Sequence, residues 1–345
     1  MRPVAIVQDK DRKIHSTNWS IKWIEICKEN GIPYEVVDGY DPSLVPECEK
    51  YSAVLWHFGN YSPRDMMEAR NILYAISRKG VSTFPDYNTA YHFDDKIAEM
   101  YLLQAVGASI PDSVAFFNKD DCIEYLKSAA YPIIAKLKAG SGANNVKKLD
   151  SYHDAVRYAN RMFGNGYNPA PSLVYKSFSK IQSTHDWKTF VSRFKRIPEF
   201  LRTRRGGKLL PRERGYCYFQ QFIPNDGFDI KVVVCNEKLS FICRNVRQHD
   251  FRASGGGTLY YDKSVITKDL IDIAFQASDA IGCQCMGYDF VLDSRIGKPM
   301  IIEMSYGFDS DAVKDAGCYW TRDGVYHNGP LDVPADILDV VLAQE

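Results

Sequence analysis

No stretch of this 345-residue sequence approaches the roughly 18 consecutive apolar residues that a membrane-spanning helix requires. Net charge is missing as well. The 43 Lys and Arg balance the 43 Asp and Glu, so the chain as a whole has no pull toward nucleic acid or an anionic membrane, and any basic patch must be local. The nine cysteines include no CxxC pair. Cys283 and Cys285 stand two apart, but no second Cys/His pair has the spacing to complete a zinc site. Reduced, mostly buried thiols are the better reading. The phosphate-binding pattern GxxxxGK(S/T) does not occur, nor does the Rossmann glycine fingerprint. No Ser-His-Asp or Cys-His set is apparent. Internal repeats and low-complexity stretches are absent. The segment 1–10 lacks the apolar core of a signal peptide, and together with the missing span this predicts a cytoplasmic protein.

What remains is an ordinary folded composition, 45% hydrophobic and 25% charged, in a chain long enough for about two or three packed subdomains. Short apolar runs at 4–7, 34–37, 53–56 and 81–84 alternate with helical patterns at 19–30 and 64–79. That rhythm predicts an open parallel α/β domain over 1–92. A helix is expected at 94–105, then a helix near 120–128, a strand at 131–136, a strand at 146–149 and a helix over 151–162. Residues 176–214 form a basic insertion with twelve Lys and Arg against Asp186, Glu199 and Glu213. Strands at 217–222, 230–235 and 239–245 suggest a meander, followed by an amphipathic helix at 268–281, strands at 287–292 and 300–304, and a short helix at 335–343. The pattern predicts a multi-domain α/β and α+β protein divided at 1–92, 93–217 and 218–345.

The carboxylates are the most informative polar residues. Asp289 and Glu303 each sit in an apolar strand, and the turn 294–299 joins the two strands as a hairpin. Facing acids on neighbouring buried strands repel and desolvate each other unless a cation intervenes. Magnesium, a hard ion that takes carboxylate and phosphate oxygens, is one such cation; pairing with a lysine is the plainer alternative. Lys136 ends a strand just before the loop Gly140-Ser141-Gly142, whose backbone N–H groups are free of side-chain bulk and suited to phosphate. Arg252 precedes three glycines, Gly255 to Gly257, an arrangement that lets backbone approach a ligand beside a forked cation. His15 and His57 follow the first and third strands, where open α/β sheets bind ligands, and His92 lies nearby. Each is more simply an ordinary surface or core residue.

Taken in order, Lys96, Lys136, a glycine loop, the run Gln220-Gln221-Phe222-Ile223, Asp229 with Lys231, Asp250-Phe251-Arg252 with its glycines, Asp289 and Glu303 resemble the ATP-grasp superfamily. The branch most similar contains ribosomal-protein glutamate ligases; D-alanine–D-alanine ligase and glutathione synthetase are cousins. The resemblance implies an ATP-grasp fold with a pre-ATP-grasp α/β domain in front, ATP lying between a lid and a C-terminal subdomain, and one or two Mg2+ ions. It implies nucleotide contacts from Lys96, Lys136, Gly140, Ser141, Gly142, Gln220, Gln221, Phe222, Ile223 and Asp229. Arg252, Lys231 and Arg244 are implied to balance charge on the reacting phosphoryl group, and Asp289, Glu303 and Ser305 to hold the metal. The family's usual Glu-x-Asn is here Glu303-Met304-Ser305, whose hydroxyl is a poorer ligand than an amide oxygen. The implied activity is ligation of a carboxylate to an amine through an acyl phosphate, with small-molecule substrates and a homodimer as a common family state. The resemblance does not cover the basic insertion, whose excess of Lys and Arg suits an acidic acceptor; a solvated surface helix pair is the plainer alternative. A phosphotransferase or a nucleotide-binding scaffold with a weakened metal site are the alternatives. Nucleic acid is a poor fit, because no recognised binding module is present.

Overall fold

The computed structural model describes residues 2–8, 17–59, 62–140, 145–168, 212–246 and 258–343. The first of its three sheets is parallel, in the order β2-β1-β3-β4. It comprises β1 (Val4–Val7), β2 (Tyr34–Val37), β3 (Ala53–Leu55) and β4 (Ser82–Phe84), with helices α1 (Trp19–Asn30) and α2 (Pro63–Ser77) in the crossovers. Both central strands are wholly buried, as their unbroken apolar runs require of a sheet covered on two faces. Gly31 stops α1 in the left-handed region at φ 66°. Ser62 caps α2 by accepting the Asp65 N–H, and Pro63 takes the first turn, where its missing donor costs nothing. The short α3 (Tyr87–Ala90) and then α4 (Lys96–Ala105) lead out of this layer. The latter starts at Lys96 rather than two residues earlier because the Asp95 side chain accepts the Ala98 N–H and so occupies the cap.

The second sheet is antiparallel and runs β5-β8-β6-β7. Its strands are β5 (Ser113–Phe116), β6 (Ile133–Lys136), β7 (Val146–Leu149) and β8 (Cys217–Gln221). Helices α5 (Lys119–Ser128) and α6 (Tyr152–Met162) cover one face, where Ile133, Ala135, Cys217 and Phe219 meet Leu126, Ala155 and Met162. The other face carries Ile134, Lys136, Tyr218 and Gln220, by the two-residue alternation of strands.

The third and largest sheet is ordered β13-β12-β9-β10-β14-β15, with β11 (Leu259–Tyr260) paired to β10. It contains β9 (Phe228–Cys235), β10 (Lys238–Asn245), β12 (Cys285–Leu292), β13 (Pro299–Ser305), β14 (Cys318–Thr321) and β15 (Tyr326–Asn328). Helix α7 (Lys268–Ile281), capped by Thr267 and ended by Gly282, packs its apolar stripe on the face formed by Ile230, Val232, Phe241, Met286, Tyr288 and Phe290. The opposite face meets the first layer through Val233, Cys235, Ile242 and Cys285. After α8 (Ser310–Lys314), the final helix α9 (Val333–Leu342) returns to the first layer. Its Val333, Ile337 and Val341 join that core, and the Trp23 indole donates to the Pro334 carbonyl at 2.9 Å. Gln284 seals the same seam, donating to the Thr83 carbonyl at 2.8 Å and accepting the Asp86 N–H at 2.9 Å. Among the described residues no helix is long and apolar enough to cross a membrane.

Candidate active site

Strand alternation and register bring five charged residues onto one face of the large sheet. Asp229 pairs with Arg244 across β9 and β10, while Lys231, Asp289 and Glu303 sit side by side across β9, β12 and β13. Arg244 donates from Nε and a terminal nitrogen to Asp229 at 2.6 and 2.9 Å, and lies 2.8 Å from an oxygen of Asp289. The Lys231 ammonium closes the row by pairing with the other Asp289 oxygen. Burial works against the charge of Asp289, but Arg244 and Lys231 outweigh it and hold this acid down at about 2. Asp229 goes the other way. Burial raises it to about 6, aided by the charge of Asp289 and only partly relieved by Arg244.

A second cluster hangs over Glu303. Lys96, at the start of α4, lies 3.1 Å from the Glu303 carboxylate and donates to the Gly140 carbonyl at 2.8 Å. Burial opposes its charge, yet Glu303, Glu99 and Asp94 together raise its pKa above that of a free lysine. Glu99, one helical turn along, is buried and accepts the Met304 N–H. Burial pushes its carboxyl up to about 8 against the pull of Lys96. Lys136 reaches across from β6 and donates to the Ile302 carbonyl at 2.7 Å. Burial brings this ammonium down to about 8, although Glu303 favours its charge. The lysine therefore ties the second sheet to the third over a narrow slot lined by Lys96, Glu99, Tyr218, Gln220, Ile302 and Glu303.

Beside the slot lies a cavity of about 200 Å³. It opens between the end of β3, with His57, Phe58 and Gly59, and the wall running from Glu303 to Asp309, with Phe93, Asp94, Lys96 and Glu99 closing the third side. His57 is pinned by stacking on Trp19, with ring centres 4.0 Å apart and planes 6° from parallel.

No family model matches the sequence. The alpha-aminoadipate–LysW ligase LysX of Saccharolobus solfataricus is 22% identical over 226 residues, 65% of this chain, and the chain spans 66% of the length of that relative. Among solved structures, a RimK-domain ATP-grasp protein from Sphaerobacter thermophilus superposes with a TM-score of 0.56 at 16% identity, over 99% of both chains. The D-alanine–D-alanine ligase of Bacillus anthracis, determined with ATP, gives 0.55 at 12% identity over 100% of this chain and 97% of that one. The chain has the ATP-grasp fold. Its parallel sheet stands where the resemblance placed a pre-ATP-grasp layer.

On this ATP-grasp framework the expected residues separate into groups. Lys96 and Gln220 line the slot, and Lys136 reaches the carbonyl of Ile302 at its edge. Gln221 and Phe222 are half-buried, with Phe222 under the Lys148 ammonium, and Ile223 is buried. Gly140 differs from its expected role. Its N–H is donated to Asp94 and its carbonyl receives Lys96, so this glycine holds the lysine rather than offering a free amide to phosphate. Ser141, Gly142 and Arg252 lie outside the described residues, as do His15, the loop 247–257 and most of the basic insertion.

The residues expected to hold magnesium, Asp289, Glu303 and Ser305, are all among the described residues. Asp289 and Glu303 do face each other on adjacent strands, but Arg244 and Lys231 already neutralise Asp289, and Lys96 is paired with Glu303. The Ser305 hydroxyl is engaged with Gly307, accepting its N–H at 3.1 Å. Among the described residues no group of three or more acids, histidines or cysteines is disposed to hold a metal. In this arrangement the charge of the facing acids is balanced by protein side chains. Lys231 and Arg244 are likewise spent on acids rather than aimed at a phosphate. Sequence reasoning missed Glu99 altogether. Its signal was a charge three residues beyond Lys96, on a helix face otherwise filled by Ile97, Met100 and Leu103.

Two outcomes follow from these charges. Between about pH 4.5 and 8 Glu99 binds a proton in the fold but not in the unfolded chain, so raising pH through that window removes stability. Urea denaturation should show the wild type losing stability from pH 5 to 8 relative to Glu99→Gln, by on the order of a few kcal/mol; parallel pH profiles would refute the buried acid. Millimolar magnesium without nucleotide should move the melting temperature by less than about 1 °C, since the acids are already paired. A rise of several degrees would show them free to take the ion.

Proposed function

We propose that this chain is an ATP-dependent ligase that joins a carboxylate to an amine and releases ADP and phosphate. One observation carries the reading: two buried lysines, Lys96 from α4 and Lys136 from β6, converge with Glu303 on a slot between two sheets of an ATP-grasp fold, next to a cavity sized for a small molecule. A buried ammonium whose hydrogen bond among the described residues goes to a carbonyl, as that of Lys136 does, is a ready partner for polyphosphate. Two of the named relatives are ligases, one of them determined with ATP, which supports the same assignment.

In this reading an oxygen of the substrate carboxylate attacks the γ-phosphorus, the bridging P–O bond breaks, and ADP departs. The amine lone pair then attacks the acyl carbon, phosphate leaves with the C–O bonding pair, and the amine gives up a proton. Such transfers depend on in-line positioning and neutralised charge rather than on a nucleophilic side chain. Lys136 leaves the Ile302 carbonyl for the phosphates, and Lys96, held by Gly140 and Glu303, stands opposite. Asp229, Arg244, Lys231 and Asp289 form the rigid charged floor that keeps these groups in register. The second sheet serves as the lid, and its closure keeps water from the acyl phosphate.

Screening pools of carboxylic acids and amines for ADP and phosphate release tests this directly. Both products should appear only when an acid and an amine are present together, and Lys136→Met should lower the rate about 100-fold or more with an unchanged circular dichroism spectrum. ADP formation without an amine and without free phosphate would assign a phosphotransferase instead.

A further inference from the structure

Among the described residues, two that are not glycine have a positive φ, Asp94 at 58° and Asn236 at 53°. Asn236 lies in the short turn between β9 and β10, where such a backbone is ordinary. Asp94 stands instead two residues before Lys96, in the turn that opens α4. Residues held in this region persist where their surroundings over-determine them, and they gather at functional sites. The surroundings of Asp94 are specific. Its carboxylate accepts the Gly140 N–H at 2.9 Å. Gly140 has φ 117°, and a Cβ there would collide with the Asn145 side-chain amide, so only glycine serves. The Gly140 carbonyl in turn receives the Lys96 ammonium at 2.8 Å. Alongside, the Lys96 N–H donates to the Lys138 carbonyl at 2.9 Å, and the Lys138 ammonium lies 2.8 Å from Asp95. The Lys138 N–H donates to the Tyr216 hydroxyl at 2.6 Å, and that hydroxyl donates to Glu213 at 2.7 Å. Residues 138–140 are thereby fastened to 94–96 on one side and to the entry of β8 on the other.

We infer that Asp94 is a positioning residue, which holds Gly140 so that its carbonyl aims the Lys96 ammonium into the slot. The inference rests on the ligase reading, since it takes Lys96 as a nucleotide contact. A lysine ammonium has three donors. With Gly140 on one side and Glu303 at 3.1 Å on another, the direction of the third is set. Remove the Asp94 acceptor, and the Gly140 N–H loses that partner. Glycine, the most permissive residue, can then turn its carbonyl away, and the ammonium settles toward Glu303 instead of standing over the slot. The bond to Gly140 also offsets the left-handed backbone of Asp94, which explains why that conformation is kept.

Calorimetric titration of the full chain with the non-hydrolysable analogue AMP-PNP and magnesium tests this across a set of variants. Asp94→Asn keeps an acceptor oxygen and tolerates the left-handed backbone, so its affinity should stay within about threefold of wild type. Asp94→Gly relieves the backbone but removes the acceptor, and should bind about tenfold more weakly. Its melting temperature should fall by less than about 4 °C. In a Lys96→Met background the Asp94→Gly change should have no further effect on affinity, because it acts through that ammonium. Equal losses in both backgrounds, or unaltered binding in Asp94→Gly, overturn the inference. So does a tenfold loss in Asp94→Asn, which is isosteric with the native residue and carries the test should Asp94→Gly not fold. The two readings fail differently. A wild type that binds no nucleotide removes the ligase reading and this inference with it; a wild type matched in affinity by Asp94→Gly removes the inference alone.

Discussion

Compensation of buried charge at the seam between two sheets governs how this molecule is built. Asp229, Arg244, Asp289 and Lys231 form an unbroken row across three strands, each within reach of the next and nearly all out of water. Removing one member of such a row leaves its partner ionised in a poor dielectric, at a cost of roughly 3–5 kcal/mol. Pairing of this kind adds little net stability over an apolar core, yet it demands a single register. A slip of one residue in β9 would turn Asp229 and Lys231 toward the core of α7 and bring Ile230 and Val232 into the charged face.

That fixed floor explains the upper cluster. The charge of Asp289 is already compensated by Arg244 and Lys231, Glu303 pairs with Lys96, and burial outweighs the pull of Lys96 on Glu99, whose carboxyl is pushed up to about 8. Lys136 is the one ammonium described in the cluster that bonds a carbonyl rather than an acid, and it does so across the gap between sheets. The group best placed to bind an incoming anion is therefore also the latch that holds the two sheets together.

Much of the fold could be read from the sequence, and for identifiable reasons. The helices at 19–30 and 268–281 match their expected limits because Gly31 and Gly282 end them in the left-handed region. The first sheet was visible as apolar runs separated by amphipathic helices. The segment after Ser305 was not, since α8, β14 and β15 are too short to show a period. Nor could pattern reveal that α9 completes the first core, because that packing joins the two ends of the chain. In the site, the acids on neighbouring strands were legible, but what neutralises them was not. Arg244 and Lys231 reach Asp289 only through the register of β9 between β10 and β12, which no local signal encodes.

Lys136 is the residue on which the proposed nucleotide site depends. A structure of the chain with a non-hydrolysable ATP analogue should show this ammonium released from the Ile302 carbonyl and within hydrogen-bonding distance of the phosphates, with Lys96 on their opposite side. A triphosphate bound elsewhere, or a nucleotide in the slot with Lys136 still on Ile302, would contradict it.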